Sequence, residues 1–107
     1  MNVLRYRSAA GADPVGKYLD RLPAREAGEV ADALVALEEE GLKAQVNTRQ
    51  VRGRLWELKV RDHRIFFVVI SGPQLVLLHA YRKSGQKAPP REIDTAASRM
   101  EDILKAE

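Results

Sequence analysis

Lys59, Arg61, Arg64, Tyr81 and Lys83, with Lys87 close behind, are the side chains whose types and spacing can do chemistry in this 107-residue chain. Lys and Arg hold phosphate oxygens and stabilise negative charge that develops on them, and Tyr adds a hydroxyl. The parts of most other catalytic sites are missing. There is no cysteine, which excludes a thiolate nucleophile, a thiolate metal site and a disulfide framework. The two histidines, His63 and His79, would need carboxylate help to hold a metal. No Ser–His–Asp set stands at suggestive spacing, no pair of carboxylates reads as an acid and a base, and no Gly-rich phosphate loop is present. A cationic site without metal or cofactor can still cleave RNA, because RNA carries its own nucleophile, the 2′-OH beside each phosphate. Holding that group in line and adding positive charge is the chemistry required. A lysine lowered by cationic neighbours can take the 2′-OH proton, another cation or a tyrosine can assist the leaving 5′ oxygen, and Tyr81 can alternatively stack on a base.

The elements that must position these residues follow from pattern. Asn2–Arg7 alternates weakly and reads as a strand. Asp13 and Pro14 open a short helix that Pro23 ends. A second helix spans about Ala24–Glu40, with Ala27, Val30, Ala31, Leu34 and Leu37 as its apolar stripe and Gly41 as terminator. Leu42–Gly53 has no clear period and reads as a loop approaching the ligand. Arg54–Arg61 alternates cleanly, with Trp56, Leu58 and Val60 on one face and Glu57, Lys59 and Arg61 on the other. Arg64–Ser71 is apolar throughout, as in a central strand, and Gly72-Pro73 turns it into a further strand, Gln74–Tyr81. Pro89-Pro90 starts a last helix with the stripe Ile93, Ala96, Ala97, Met100, Ile103 and Leu104. The expectation is one α+β domain over residues 1–107, ordered β-α-α-β-β-β-α, with an antiparallel sheet packed by helices. In such a meander the end of the second strand and the end of the fourth both lie beside the start of the third. Lys59, Arg61, Arg64, Tyr81 and Lys83 are therefore expected at one end of the sheet.

Charge distribution agrees. Residues 1–42 carry a net −3, residues 43–91 a net +9, and residues 92–107 a net −3. A block so basic in the middle of the chain suggests a polyanion partner, most commonly nucleic acid. No apolar run approaches the roughly 18 residues of a membrane span, and no signal peptide opens the chain; the expected location is the cytoplasm.

GRLWELKV, HRIFFVV and LLHAYRKSGQKAPPREIDTA, in that order, resemble the RelE/ParE toxin superfamily, and within it the phage-derived, HigB-like branch. The similarity is carried by Leu55–Arg61, Arg64–Val69 and Leu77–Pro89. It implies a toxin of a type II toxin–antitoxin pair that cuts mRNA in the ribosomal A site without a metal, leaving a 2′,3′-cyclic phosphate. It implies a cognate antitoxin, of the helix-turn-helix kind, as partner. By this resemblance Lys59 matches a basic position of the second strand and Arg64 the arginine that contacts the scissile phosphate. Lys83 matches the basic residue after the fourth strand, and Lys87 the lysine of the loop. Arg49, Arg52, Arg54, Arg61 and Arg82 are expected to grip RNA. The chain departs from the pattern in three places. Glu57 replaces a basic residue of RelE, the last helix has no tyrosine, and the C-terminal tyrosine–histidine of some HigB enzymes is absent. The rival readings are a ParE-like toxin that acts on DNA gyrase and an inactive relative that only binds a partner.

Other residues read as structural. Trp56 shares a face with Leu58 and Val60 and belongs to the core, as does His79 inside an apolar strand. His63 reads as a surface residue of a turn. The last helix's stripe is core first and an antitoxin contact second. Glu38–Glu40 is a solvated helix end that works against the helix dipole.

Overall fold

The structure is a computed structural model that describes residues 1–87 and 89–107. Ala88, inside the Leu77–Pro89 motif, lies outside the described residues. The elements are β1 (Asn2–Arg5), α1 (Pro14–Asp20), α2 (Ala24–Glu40), β2 (Asn47–Arg52), β3 (Leu55–Val60), β4 (His63–Ile70), β5 (Gln74–Arg82) and α3 (Pro90–Ala106). They form an α+β fold around one five-stranded sheet ordered β1-β5-β4-β3-β2. No helix among the described residues is long and apolar enough to cross a membrane.

The helix boundaries follow local chemistry. The Asp13 carboxylate accepts from the Gly16 amide at 3.1 Å, and Pro14 takes the first helical position, where no N–H is needed. Gly41 closes α2 with φ 68°, a conformation that costs glycine little.

Two expectations need correction. Residues 42–53 are not all loop: Asn47–Arg52 is an edge strand antiparallel to β3, with a register shift between Gln50 and Arg52. Its weak pattern is that of an edge strand with few buried side chains. The sheet is mixed rather than antiparallel, because β1 pairs with β5 in parallel, Asn2 opposite Gln74 to Arg5 opposite Leu77. The long α1–α2 crossover allows this geometry.

Helices cover both faces. On one, Val15, Val30 and Leu37 of α1 and α2 pack on Leu58, Ile65, Phe67, Leu75 and Leu77. Trp56 joins this cluster, stacked on Phe67 at 6.2 Å between centroids. On the other, Ala96 of α3, flanked by Ile93, Met100 and Ile103, packs on Leu55, Phe66, Val68 and Leu78. A bulge in β5 links the two. Phe67 pairs with Leu77 but Phe66 pairs with His79, so Leu78 is an extra residue. Leu75 and Leu77 therefore serve the α1–α2 face, whereas Leu78 and Tyr81 serve the α3 face.

Candidate functional site

Register builds the site. Lys59 of β3 lies opposite Arg64 of β4, and Arg64 lies opposite Tyr81 of β5. On the other side Asn47 of β2 lies opposite Lys59. One row of the sheet thus reads Asn47, Lys59, Arg64, Tyr81. The next row reads Arg49, Glu57, Phe66, His79. Strand alternation puts both rows on the face that α3 covers. A cleft of about 270 Å³ is lined by Asn47, Arg49, Glu57, Lys59 and Arg64, with Lys83 and Gln86 closing it from the loop after β5.

Four cations surround one carboxylate there. Arg64 is 7% exposed, and its Nη1 donates to the Arg61 and His63 carbonyls at 2.8 and 3.0 Å. The guanidinium is thus fixed by backbone, which leaves its other N–H groups free among the described residues. Glu57 is 4% exposed and accepts from Arg49 Nε at 3.0 Å. Such a set binds a phosphate and offers one carboxylate that can take a proton.

Tyr81 ends the row and is buried. Its ring forms a near-parallel aromatic cluster with Phe66 (5.8 Å) and His79 (6.3 Å), which are 6.4 Å from each other. It is therefore built into the core and is not presented to stack on a base. Its hydroxyl is buried and is the one such side-chain group without a hydrogen-bond partner among the described residues. Burial first, and Glu57 second, push the phenol above its usual value, so it stays a neutral donor. Because Tyr81→Phe removes no internal hydrogen bond, the variant is expected to keep the wild-type melting temperature. A loss of cleavage in the same variant would show that the hydroxyl meets the substrate.

The remaining candidates lie elsewhere. Arg61 has φ 55°, the left-handed turn conformation, and this rotates it off the Lys59 face. It instead forms an ion pair with Glu29 of α2. Arg82 shares the α1–α2 face with His63 and pairs with Asp62 (2.6 Å) and Glu26 (3.3 Å). Arg52 pairs with Asp94, and Arg54 reaches the Val69 carbonyl and Glu107 at the far end of the sheet. Lys87 is exposed and does not line the cleft. Of the five expected gripping arginines, Arg49 is the one in the cleft. Asn47 and Gln86 were not anticipated, since neither type nor spacing marks them. Glu57 was legible as a Lys59-face residue, but only the pairing with Arg49 makes it part of the site.

His63 is corrected as well. The turn is Arg61–Asp62 alone, so His63 is the first residue of β4, faces α1 and α2, and is fully buried. Glu26 accepts from its Nε2 at 2.6 Å, and the Tyr18 hydroxyl lies 2.6 Å from Nδ1. A carboxylate only accepts, so Nε2 carries the proton that Glu26 receives, and Nδ1 shares the second hydrogen bond with the Tyr18 hydroxyl. Glu26, Asp62 and His63 have the types of a metal site, yet Arg82 already bonds both carboxylates. His79, expected in the core, is largely buried and bonded by Glu92 (2.6 Å) and Arg99 (3.2 Å).

These carboxylates make stability acid-sensitive. The His63 hydrogen bond, ahead of Arg82, holds Glu26 below the usual range, and Arg82 does the same for Asp62 and Arg61 for Glu29. A depressed folded pKa stabilises at pH above the unfolded value and is lost as pH falls through the folded one. The urea midpoint is expected to be flat from neutrality to about pH 5 and to drop below about pH 4. Glu26→Gln should flatten part of that drop.

A family model, phage-derived protein Gp49-like (DUF891), matches residues 17–101. The chain belongs to this family. The match runs from within α1 through most of α3 and includes every residue of the cleft. The Gp49-like family lies in the RelE/HigB toxin-like superfamily. No curated protein matches the chain significantly. Within the Gp49-like protein, the cleft is where the matched strands β2 to β5 converge.

Proposed function

We propose that this chain is a HigB-branch toxin of a type II toxin–antitoxin pair and cleaves mRNA bound to the ribosome. The convergence of Lys59, Arg64 and Lys83, from three separate elements, on one cleft carries this reading. Similarity to the RelE and HigB toxins supports a ribosome-bound message as substrate and an antitoxin as inhibitor.

In this mechanism Arg64 and Lys83 hold the scissile phosphate, and Arg49 and Lys59 complete its charge complement. The 2′-OH gives its proton to Glu57 or Lys59, and its oxygen forms a bond to phosphorus. The bond from phosphorus to the 5′ oxygen breaks, and that oxygen takes a proton from a cation of the cleft or from Tyr81. A 2′,3′-cyclic phosphate and a 5′-OH result. Fixed positive charge at the developing dianionic phosphorane supplies most of the acceleration. Lys87, outside the cleft lining, is left to contact RNA further along.

The test is primer extension on a defined mRNA in reconstituted translation, with and without ribosomes. Cleavage on ribosomes alone, lost in Lys83→Ala, is expected. Cleavage of free RNA would keep the chemistry and remove the ribosome. No cleavage by the folded protein would overturn the reading in favour of gyrase or of partner binding.

A further inference from the structure

The sheet has one edge that its own chain leaves half open. β1 pairs with β5 from Gln74 to Leu77, and the Tyr6 amide then donates to the Leu77 carbonyl before the chain departs. From residue 78 to residue 82 β5 has no strand neighbour on that side. The Lys83 amide donates to the Asp62 carbonyl, on the β4 side. Strand amides alternate in direction, so the N–H and C=O groups of Ala80 and Arg82 point away from β4, toward the open edge.

A cleft of about 460 Å³ lies along this edge. Lys17, Tyr18, Arg21 and Leu22 of α1 form one wall, and Arg99 of α3 stands on the other side. Because α1 and α3 pack on opposite faces of the sheet, a cleft lined by both must open at the edge. Arg82 is already paired with Glu26 and Asp62, and Arg99 donates to the Leu78 carbonyl. Lys17 and Arg21 form no ion pair among the described residues. The cleft thus combines unpaired strand backbone, apolar surface from Tyr18 and Leu22, and uncompensated positive charge.

We propose that this edge receives an extended, acidic segment of a protein partner, which adds to the sheet as a strand beside β5. Backbone pairing with Ala80 and Arg82 supplies binding, and alternate side chains meet Lys17 and Arg21 on one side and Arg99 on the other. A nucleic acid would satisfy the cations, but its phosphates would face the carbonyls of Ala80 and Arg82. The proposal does not depend on RNA cleavage.

The test uses the full chain, isotope-labelled, and a library of short peptides in which Asp or Glu alternates with Val, Ile or Tyr. The tightest peptide is expected to slow hydrogen exchange at the Ala80 and Arg82 amides. Methylating alternate peptide nitrogens, or introducing Lys17→Glu with Arg21→Glu, is expected to weaken it more than about tenfold, with the amide spectrum of the rest of the chain unchanged. The proposal fails if no peptide binds by about 1 mM, or if binding leaves those two amides unprotected. It also fails if an oligouridylate protects them better than any peptide, which would make the cleft a nucleic-acid groove.

Discussion

Replacing Arg64 with alanine is expected to lower cleavage of ribosome-bound mRNA by about 10²–10³-fold, the cost of removing one preorganised charge from a transition-state site. Arg64 stands in the centre of its row, opposite Lys59 on one side and Tyr81 on the other. Its position is fixed because one nitrogen is spent on the Arg61 and His63 carbonyls. The remaining donors therefore meet a phosphate without first having to be ordered. Arg64→Lys keeps the charge but loses the fork that bonds carbonyls and phosphate together, so it should recover only part of the activity. Arg64→Ala takes this donor from the Arg61 and His63 carbonyls, for a stability cost of about 1–3 kcal/mol. Single-turnover cleavage beside a melting curve separates the two effects. Activity within twofold of wild type in a folded Arg64→Ala protein would sink the assignment of this cleft.

The second large effect concerns stability. His63→Ala is expected to destabilise the protein by about 2–4 kcal/mol, because a fully buried ring leaves a cavity and two hydrogen bonds are lost. For a chain of this size that corresponds to a melting temperature roughly 10 °C lower. The Tyr18 hydroxyl loses its partner inside the structure, whereas Glu26 keeps Arg82. Alanine at Arg61 should shift the midpoint far less, since its ion pair with Glu29 is close to half exposed on both sides and screened by solvent. Urea denaturation of both variants at pH 7 makes the comparison. If His63→Ala unfolds at the wild-type midpoint, the buried network does not hold the turn. Loss of cleavage should accompany the stability loss, because the carbonyls that orient Arg64 belong to the turn residue Arg61 and to His63 itself.

Much of the local structure was legible in the residues. Asp13-Pro14, Pro23, Gly41 and Pro89-Pro90 mark helix ends through backbone chemistry that needs no tertiary contact. The alternation of Arg54–Arg61 put Glu57 and Lys59 on one face, and a tight connection read as Arg61-Asp62-His63 made β3 and β4 antiparallel neighbours, as they are. Lys59 and Arg64 followed from that pairing alone. His63 was misplaced because a turn one residue too long moves a side chain from the strand to the surface. Asn47 and Arg49 could not be placed, because an exposed edge strand carries little hydrophobic signal.

Tertiary structure decided which cations share a face. The bulge at Leu78 reverses the alternation of β5, so Tyr81 lies on the Arg64 side although Leu75 and Leu77, an even number of residues before it, lie on the other. The left-handed backbone at Arg61 sends that arginine to Glu29 and away from Lys59. Sequence by itself determined the helices, the central meander and the abundance of basic residues, because these depend on local backbone preference and composition. The selection of Arg49, Lys59, Arg64 and Lys83 from that abundance, and the half-open edge of β5, rest on register and on where the chain leaves the sheet. Those are set by long-range packing, which no local pattern encodes.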